Sequence, residues 1–270
     1  MMRFAKLSKN NTGPLKNNIL YIVVLIAAMG LKYHYSRAGS DELGWILGPT
    51  AWVVEHVSGI PFEPETGTGY VSRDYWIIIA PACAGVNFFI IAFCMSAFSG
   101  LSLLKLSKFK GPWVALSAAG AYLLTVVVNA FRIFVSIWTL EADIYSKAIT
   151  PEMIHRVEGT FIYFFFLSLF YLMLRKTLHC FIPFEIRMTP HFSGKHVKNP
   201  RKRHSCFVPM FWYTLFCLGL PLVNRAYQKN GTLFVEHSMV VLSVCAVVFL
   251  LIFLIQLFYR RFYRWITDKI

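Results

Sequence analysis

Acidic side chains are scarce: 13 Asp and Glu stand against 27 Lys and Arg in 270 residues, and charged residues make up only 15% of the chain. No HExxH or CxxC pattern occurs, and the histidines other than His155 lack partners at metal-ligand spacing, so neither a metal nor another cofactor is expected. No internal repeat is present, and no low-complexity tract interrupts the chain, which argues against a solenoid. The surplus of 14 positive charges could point to nucleic acid, but the basic residues are scattered between apolar runs and no nucleic-acid motif accompanies them. Nucleic acid is therefore not an expected partner.

Apolar residues are plentiful. They make up 57% of the chain, with 17% aromatic and a positive mean hydropathy, too much for a single soluble core of ordinary composition. Runs able to cross a bilayer, at about 20 residues each, fall near 18–34, 84–104, 112–133, 160–174, 207–224 and 238–259. The expected fold is all-α: a polytopic transmembrane helix bundle of about six spans. The first run follows Lys6, Lys9 and Lys16 and has no small-residue cleavage site before Lys32 and His34, so it reads as an uncleaved helix. With the N-terminus inside, 19 basic residues fall on the cytoplasmic side and seven outside, which favours N-in and C-in by the positive-inside rule.

Between the first two runs lies an outside stretch. Residues 43–58 read as a short interfacial helix with Trp45, Trp52 and Val57 on it. A seventh span is the alternative, but an odd number of passes would put one basic terminus outside. The turn-rich 61–69 segment is followed by the β-branched, aromatic 70–80 segment, which reads as extended chain. Pro81 is then expected to open a helix, with Cys83 at its N-terminus. Residues 1–175 form the expected membrane core, 176–206 a basic cytoplasmic loop, and 207–270 a two-span tail.

Topology sorts the six cysteines. Cys180 and Cys206 fall in the loop, Cys94, Cys217 and Cys245 fall inside spans, and Cys83 alone faces outward, without a partner for an intramolecular disulfide. It is either a small buried hydrophobe or a reactive thiol. Depth favours reactivity. Lys105 to Cys83 and Lys110 to Arg132 are both 22 residues, about 33 Å of helix, and His155 lies at the same level when counted back from Arg175. Three apt side chains from three spans share one plane.

Each has chemistry available there. A helix N-terminus and a nearby cation favour the thiolate of Cys83. His155 can exchange protons near neutrality, and Arg132, always charged, can stabilise a thiolate or an oxyanion. An arginine near a helix end also snorkels, and a loop histidine is commonly just solvated. Asn129, on the Arg132 face, could orient the guanidinium or bind substrate backbone, or it could join helices. Glu158 is placed to orient His155. Gly85 and Gly159 permit close backbone approach, and Gly85 leaves first-turn N–H groups open as oxyanion donors.

The segments Pro81-Ala82-Cys83-Ala84-Gly85 and Asn129-Ala130-Phe131-Arg132-Ile133, then His155 with Gly159, resemble in order the three signatures of the exosortase/archaeosortase family. The likeness runs from about residue 70 to 175. Ala84 departs from the serine commonest after the family cysteine, and the Cys-Ala-Gly-Val-Asn-Phe run looks most like the exosortase K subfamily. The resemblance implies that Cys83, Arg132 and His155 are the triad of a membrane cysteine transpeptidase or endopeptidase at the outer face of the bacterial cytoplasmic membrane. The implied substrate is an exported protein with a C-terminal motif, a hydrophobic helix and a basic end. An acyl-enzyme on Cys83 would pass to an acceptor nucleophile whose identity the sequence leaves open. Two other readings remain at this point: a non-enzymatic transport or assembly factor in which Arg132 binds an anionic group, and a lipid acyltransferase with a cysteine relay. The tail resembles nothing that assigns it a role.

Overall fold

The computed structural model describes residues 12–104, 106–141, 150–187 and 207–267. Lys105, Cys206 and the chain between Arg187 and Phe207 lie outside them, as do the basic residues Arg3, Lys6 and Lys9. Six apolar helical segments dominate the fold. They are α1 (Thr12–Tyr35), α3 (Val86–Leu103), α4 (Ser107–Glu141), α5 (Pro151–Arg187), the run that begins with α6 (Phe207–Thr214), and α9 (Gly231–Thr267). Among the described residues, Pro81–Leu103, Ser107–Thr139, Met153–Cys180 and Gly231–Ile255 are long and apolar enough to cross a membrane, with Ile19–Tyr35 and Phe207–Val223 as shorter apolar helices. The expected all-α membrane bundle is what forms.

Residues 43–58 do form a helix, α2 (Gly44–Ser58), closed by Gly59 in the left-handed region. Its 15 residues span about 22 Å, short of a bilayer core, and it is not among the candidate spans. Leu43, Ile46, Leu47, Ala51 and Val54 are buried while Trp52 and Val57 point outward. Tyr122 of α4 fastens it by donating to the Trp45 carbonyl at 2.8 Å.

The extended stretch after α2 differs from the expectation. It folds back on itself as an antiparallel meander of β1 (Glu63–Glu65), β2 (Gly69–Ser72) and β3 (Ile77–Ile79), with Glu63 opposite Val71 and Tyr70 opposite Ile79. Backbone pairing explains the fold-back: a single extended strand here would leave its N–H and C=O groups unpaired, and the meander pairs them locally. The sheet sits beside α2, where the Tyr70 hydroxyl approaches Gly48.

The α3–α4 hairpin is the frame of the bundle. Its link is short, and Trp113 of α4 donates to the Ser96 carbonyl at 3.1 Å, which fixes the two helices in register. α3 is enclosed, with Phe88, Ile90, Ile91, Met95 and Leu101 fully buried. α5 runs unbroken to Arg187, so the segment read as loop from Arg175 is helical in its first part, and Cys180 lies exposed on that helix. The C-terminal segment packs against this frame: α6 touches α3 and α5, and α9 lies along α5. A π-helical stretch (Leu215–Gly219) and the short α7 (Leu220–Val223) and α8 (Ala226–Lys229) connect them.

Candidate active site

Chain geometry around Cys83 starts at Ala80, whose extended backbone feeds a single 3-10 turn, Pro81–Cys83. The Cys83 N–H donates to the Ala80 carbonyl at 2.8 Å and the Ala84 N–H to the Pro81 carbonyl at 3.0 Å. Gly85 then takes φ +67°, and α3 begins at Val86. This corrects the expectation that one helix runs from Pro81 through Cys83. In a continuous helix the Cys83 carbonyl would bond the backbone N–H four residues on; here it accepts from the side-chain amide of Asn129 instead. The left-handed turn frees that carbonyl, and glycine is needed because a Cβ at 85 would also press on Thr125 and Asn129 at 3.2 and 3.3 Å. No side chain caps the first turn of α3, so its N–H groups remain open.

Asn129 and Arg132 stand one turn apart on α4 and face α5. Asn129 is fully buried. Its Oδ1 accepts from the Tyr163 hydroxyl at 2.8 Å, and that hydroxyl accepts from Arg132 Nη1 at 3.0 Å. The guanidinium also lies over the Tyr163 ring, 5.4 Å from its centre. Arg132 Nη2 meets His155 Nε2 at 2.5 Å. A polar chain thus runs from the Cys83 carbonyl through Asn129, Tyr163 and Arg132 to His155.

Arg132 is 8% exposed, and a charged side chain inside a span costs about 2.5–3.5 kcal/mol on insertion scales. Such a cost is sustained where the residue is used. Gly159, one helical turn beyond His155 on α5, makes room for it: a Cβ there would sit 3.0 Å from Arg132 Nε. Since the guanidinium can only donate, His155 Nε2 is the acceptor and Nδ1 carries the ring proton. Ser136 Oγ lies 3.3 Å from Nδ1 and 3.5 Å from Glu158 Oε2, while Thr139 donates to Glu158 Oε1 at 3.3 Å. Glu158 therefore reaches the imidazole through Ser136.

Of the residues singled out from sequence, Arg132 and His155 touch, Asn129 bonds both the Cys83 carbonyl and Tyr163, and Gly85 and Gly159 are the close-approach points. Among the described residues, no hydrogen bond joins the half-buried Cys83 sulfur to Arg132 or His155. Tyr163 and Ser136 were missed. Both carry a helical-spacing signal: Ser136 is four residues after Arg132, and Tyr163 is four after Gly159. Beside the pair opens a cavity of about 370 Å³ that Ala82, Gly85, Arg132 and His155 share with residues of α1 and the C-terminal helices.

The fold and this buried polar cluster define a multi-pass α-helical membrane protein with a site set into its bundle. Residues 50–173, the stretch that holds Cys83, Arg132 and His155, match the family described as transmembrane exosortase. The match is to the family as a whole and does not reach the K subfamily. No curated protein and no solved structure matches the chain.

Proposed function

We propose that the chain is a cysteine-dependent membrane endopeptidase or transpeptidase that cleaves C-terminal sorting signals of exported proteins, with Cys83, Arg132 and His155 as its reacting groups. The observation that carries the reading is the 2.5 Å contact between Arg132 and His155, tied by Tyr163 and Asn129 to the carbonyl of Cys83. A buried cation and a proton acceptor in one network, tied to the backbone of a cysteine, suit acyl transfer.

The Cys83 sulfur attacks the scissile carbonyl carbon as its proton passes to His155 Nε2. The oxyanion that forms is stabilised by Arg132. As the tetrahedral intermediate collapses, His155 returns the proton to the leaving amine, and a thioester remains on Cys83. An acceptor nucleophile or water then attacks the thioester, gives its proton to His155, and regenerates the thiol. At rest the Nε2 lone pair accepts from Arg132, so the guanidinium must turn toward the substrate oxygen before the imidazole can act. The charge bias of the loops supports an N-in, C-in arrangement with Cys83 outside the cytoplasmic membrane. A substrate tail with a basic end, inserted by the same rule, would present its motif at that level.

The test is maturation of a co-expressed protein bearing a motif, a hydrophobic helix and a basic C-terminus. Cys83→Ala, Arg132→Ala and His155→Ala should each abolish processing, Cys83→Ala by about a thousandfold or more, with the enzyme's own level unchanged. Full processing by Cys83→Ala ends the proposal and leaves anion binding by Arg132 as the reading.

A further inference from the structure

The cavity beside Arg132 and His155 is electrostatically one-sided. Its walls carry Lys32, Arg132 and Arg156 together with two histidines, His155 and His237, and no carboxylate. Lys32 comes from the end of α1 and His237 from α9, so elements outside the matched core supply two of these five basic groups. Among the described residues the ion pairs are Arg73 with Glu65 and Arg156 with Glu236, the latter at 3.8 Å, which leaves Lys32 and Arg132 without an acidic partner. Lys32 Nζ instead donates to Asn87 Oδ1 at 2.7 Å and lies 5.6 Å from the Tyr35 ring centre. Arg132 Nε is buried without a hydrogen-bond partner.

Neutral partners compensate a partly buried ammonium only in part, and apolar walls such as Phe88, Ile91, Phe216 and Leu220 strengthen whatever charge enters. In a membrane bundle, unbalanced positive charge around a cavity marks a place where a negative group arrives. The volume, about 370 Å³, is within the range of pockets that hold small ligand groups.

We infer that this cavity is an anion subsite: it takes a carboxylate or phosphate group of the molecule that reacts at Cys83, with Lys32 as its principal counter-ion and the C-terminal helices as its outer wall. The inference rests on Cys83 being the reacting thiol, as proposed above, but not on which bond is cleaved.

Alkylation of Cys83 in the full-length protein in detergent tests it. Iodoacetate and iodoacetamide both lose iodide to the thiol and differ mainly in charge; rates are read by mass spectrometry as loss of the unmodified Cys83 peptide. The ratio of iodoacetate to iodoacetamide rates should exceed that of a free cysteine derivative. It should fall about fivefold in Lys32→Gln, the scale of one partly solvated charge contact, and persist in Lys32→Arg. Acetate and inorganic phosphate, each against chloride at constant ionic strength, should suppress the iodoacetate preference, and the stronger competitor tells whether a carboxylate or a phosphate is the better occupant. A ratio no higher than that of the free thiol overturns the inference, as does a ratio unchanged in a Lys32→Gln protein whose iodoacetamide rate is unaltered. Should Lys32→Gln fail to fold, competition on the unsubstituted protein decides, and suppression no greater than by chloride overturns it. Alkylation needs no peptide cleavage, so this result and the processing result can fail separately.

Discussion

The 50–173 core and α9 are both apolar, α9 the more so, and they are packed differently. In the most apolar 18-residue stretch of the span holding Cys83, 72% of residues are buried, whereas in that of the α9 span 22% are. α3 is enclosed by its neighbours, and the inner faces of α4 and α5 enclose polar groups, among them Asn129, Arg132 and Thr160, while their outer faces stay exposed at Leu116, Leu123 and Met173. α9 buries one narrow stripe, Val241, Val244, Cys245 and Val248, at helical spacing, and leaves Leu242, Val247, Leu250 and Phe253 exposed. A reacting side chain needs neighbours that fix its rotamer, which only enclosure supplies. A cavity wall needs one face.

The sharpest way to break this contrast is inside the core. Arg132→Lys keeps the charge but loses the fork that reaches Tyr163 and His155 together, and processing should fall about a hundredfold. A near-normal rate would mean that charge alone suffices and that the polar chain is incidental. A comparison of two buried tyrosines comes next. Tyr163 makes hydrogen bonds of 2.8 and 3.0 Å within the network, while Tyr213 of α6 stands outside it, donating a long bond of 3.4 Å to the Thr160 carbonyl beside the Cys217 side chain. Removing the Tyr163 hydroxyl strands two buried groups at about 1–3 kcal/mol, so Tyr163→Phe should slow processing by tenfold or more and Tyr213→Phe by about twofold at most. Equal effects in the processing assay would erase the distinction between the regions. The smallest effect is expected on the outer face of α9, where Leu250→Ala should leave processing unchanged and stability within about 0.5 kcal/mol. A marked loss on thermal unfolding there would reveal a protein surface docked on that face.

Much of the bundle was legible because it depends on quantities a sequence carries directly. Apolar run length gave the helical segments, and a fixed rise per residue brought Cys83, Arg132 and His155 to one level. What a rise cannot give is rotation about each helix axis and the choice of neighbour. Tyr163 lies two turns along α5 from His155 and enters the network only because α4 and α5 pack with those faces together. Ser136, which relays Glu158 to the imidazole, was hidden for the same reason. The break between Cys83 and α3 was missed because Pro81 is a good first residue for a helix, and nothing local reveals that Gly85 will turn left-handed until Asn129 is seen holding the freed carbonyl. The meander of 63–79 escaped because its pairing is set by turns whose residues also suit open loops. The C-terminal helices, which sequence alone left without a role, acquire one from the cavity they help to enclose.

The contact between guanidinium and imidazole has a kinetic consequence. In the proposed mechanism, a lone pair held by Arg132 keeps His155 from taking the Cys83 proton until the guanidinium turns away. On that proposal, an arriving carbonyl oxygen that draws the guanidinium toward itself would release the imidazole in the same movement, a safety catch opened by the correct guest. A thiol kept idle in this way would be spared stray oxidants between turnovers.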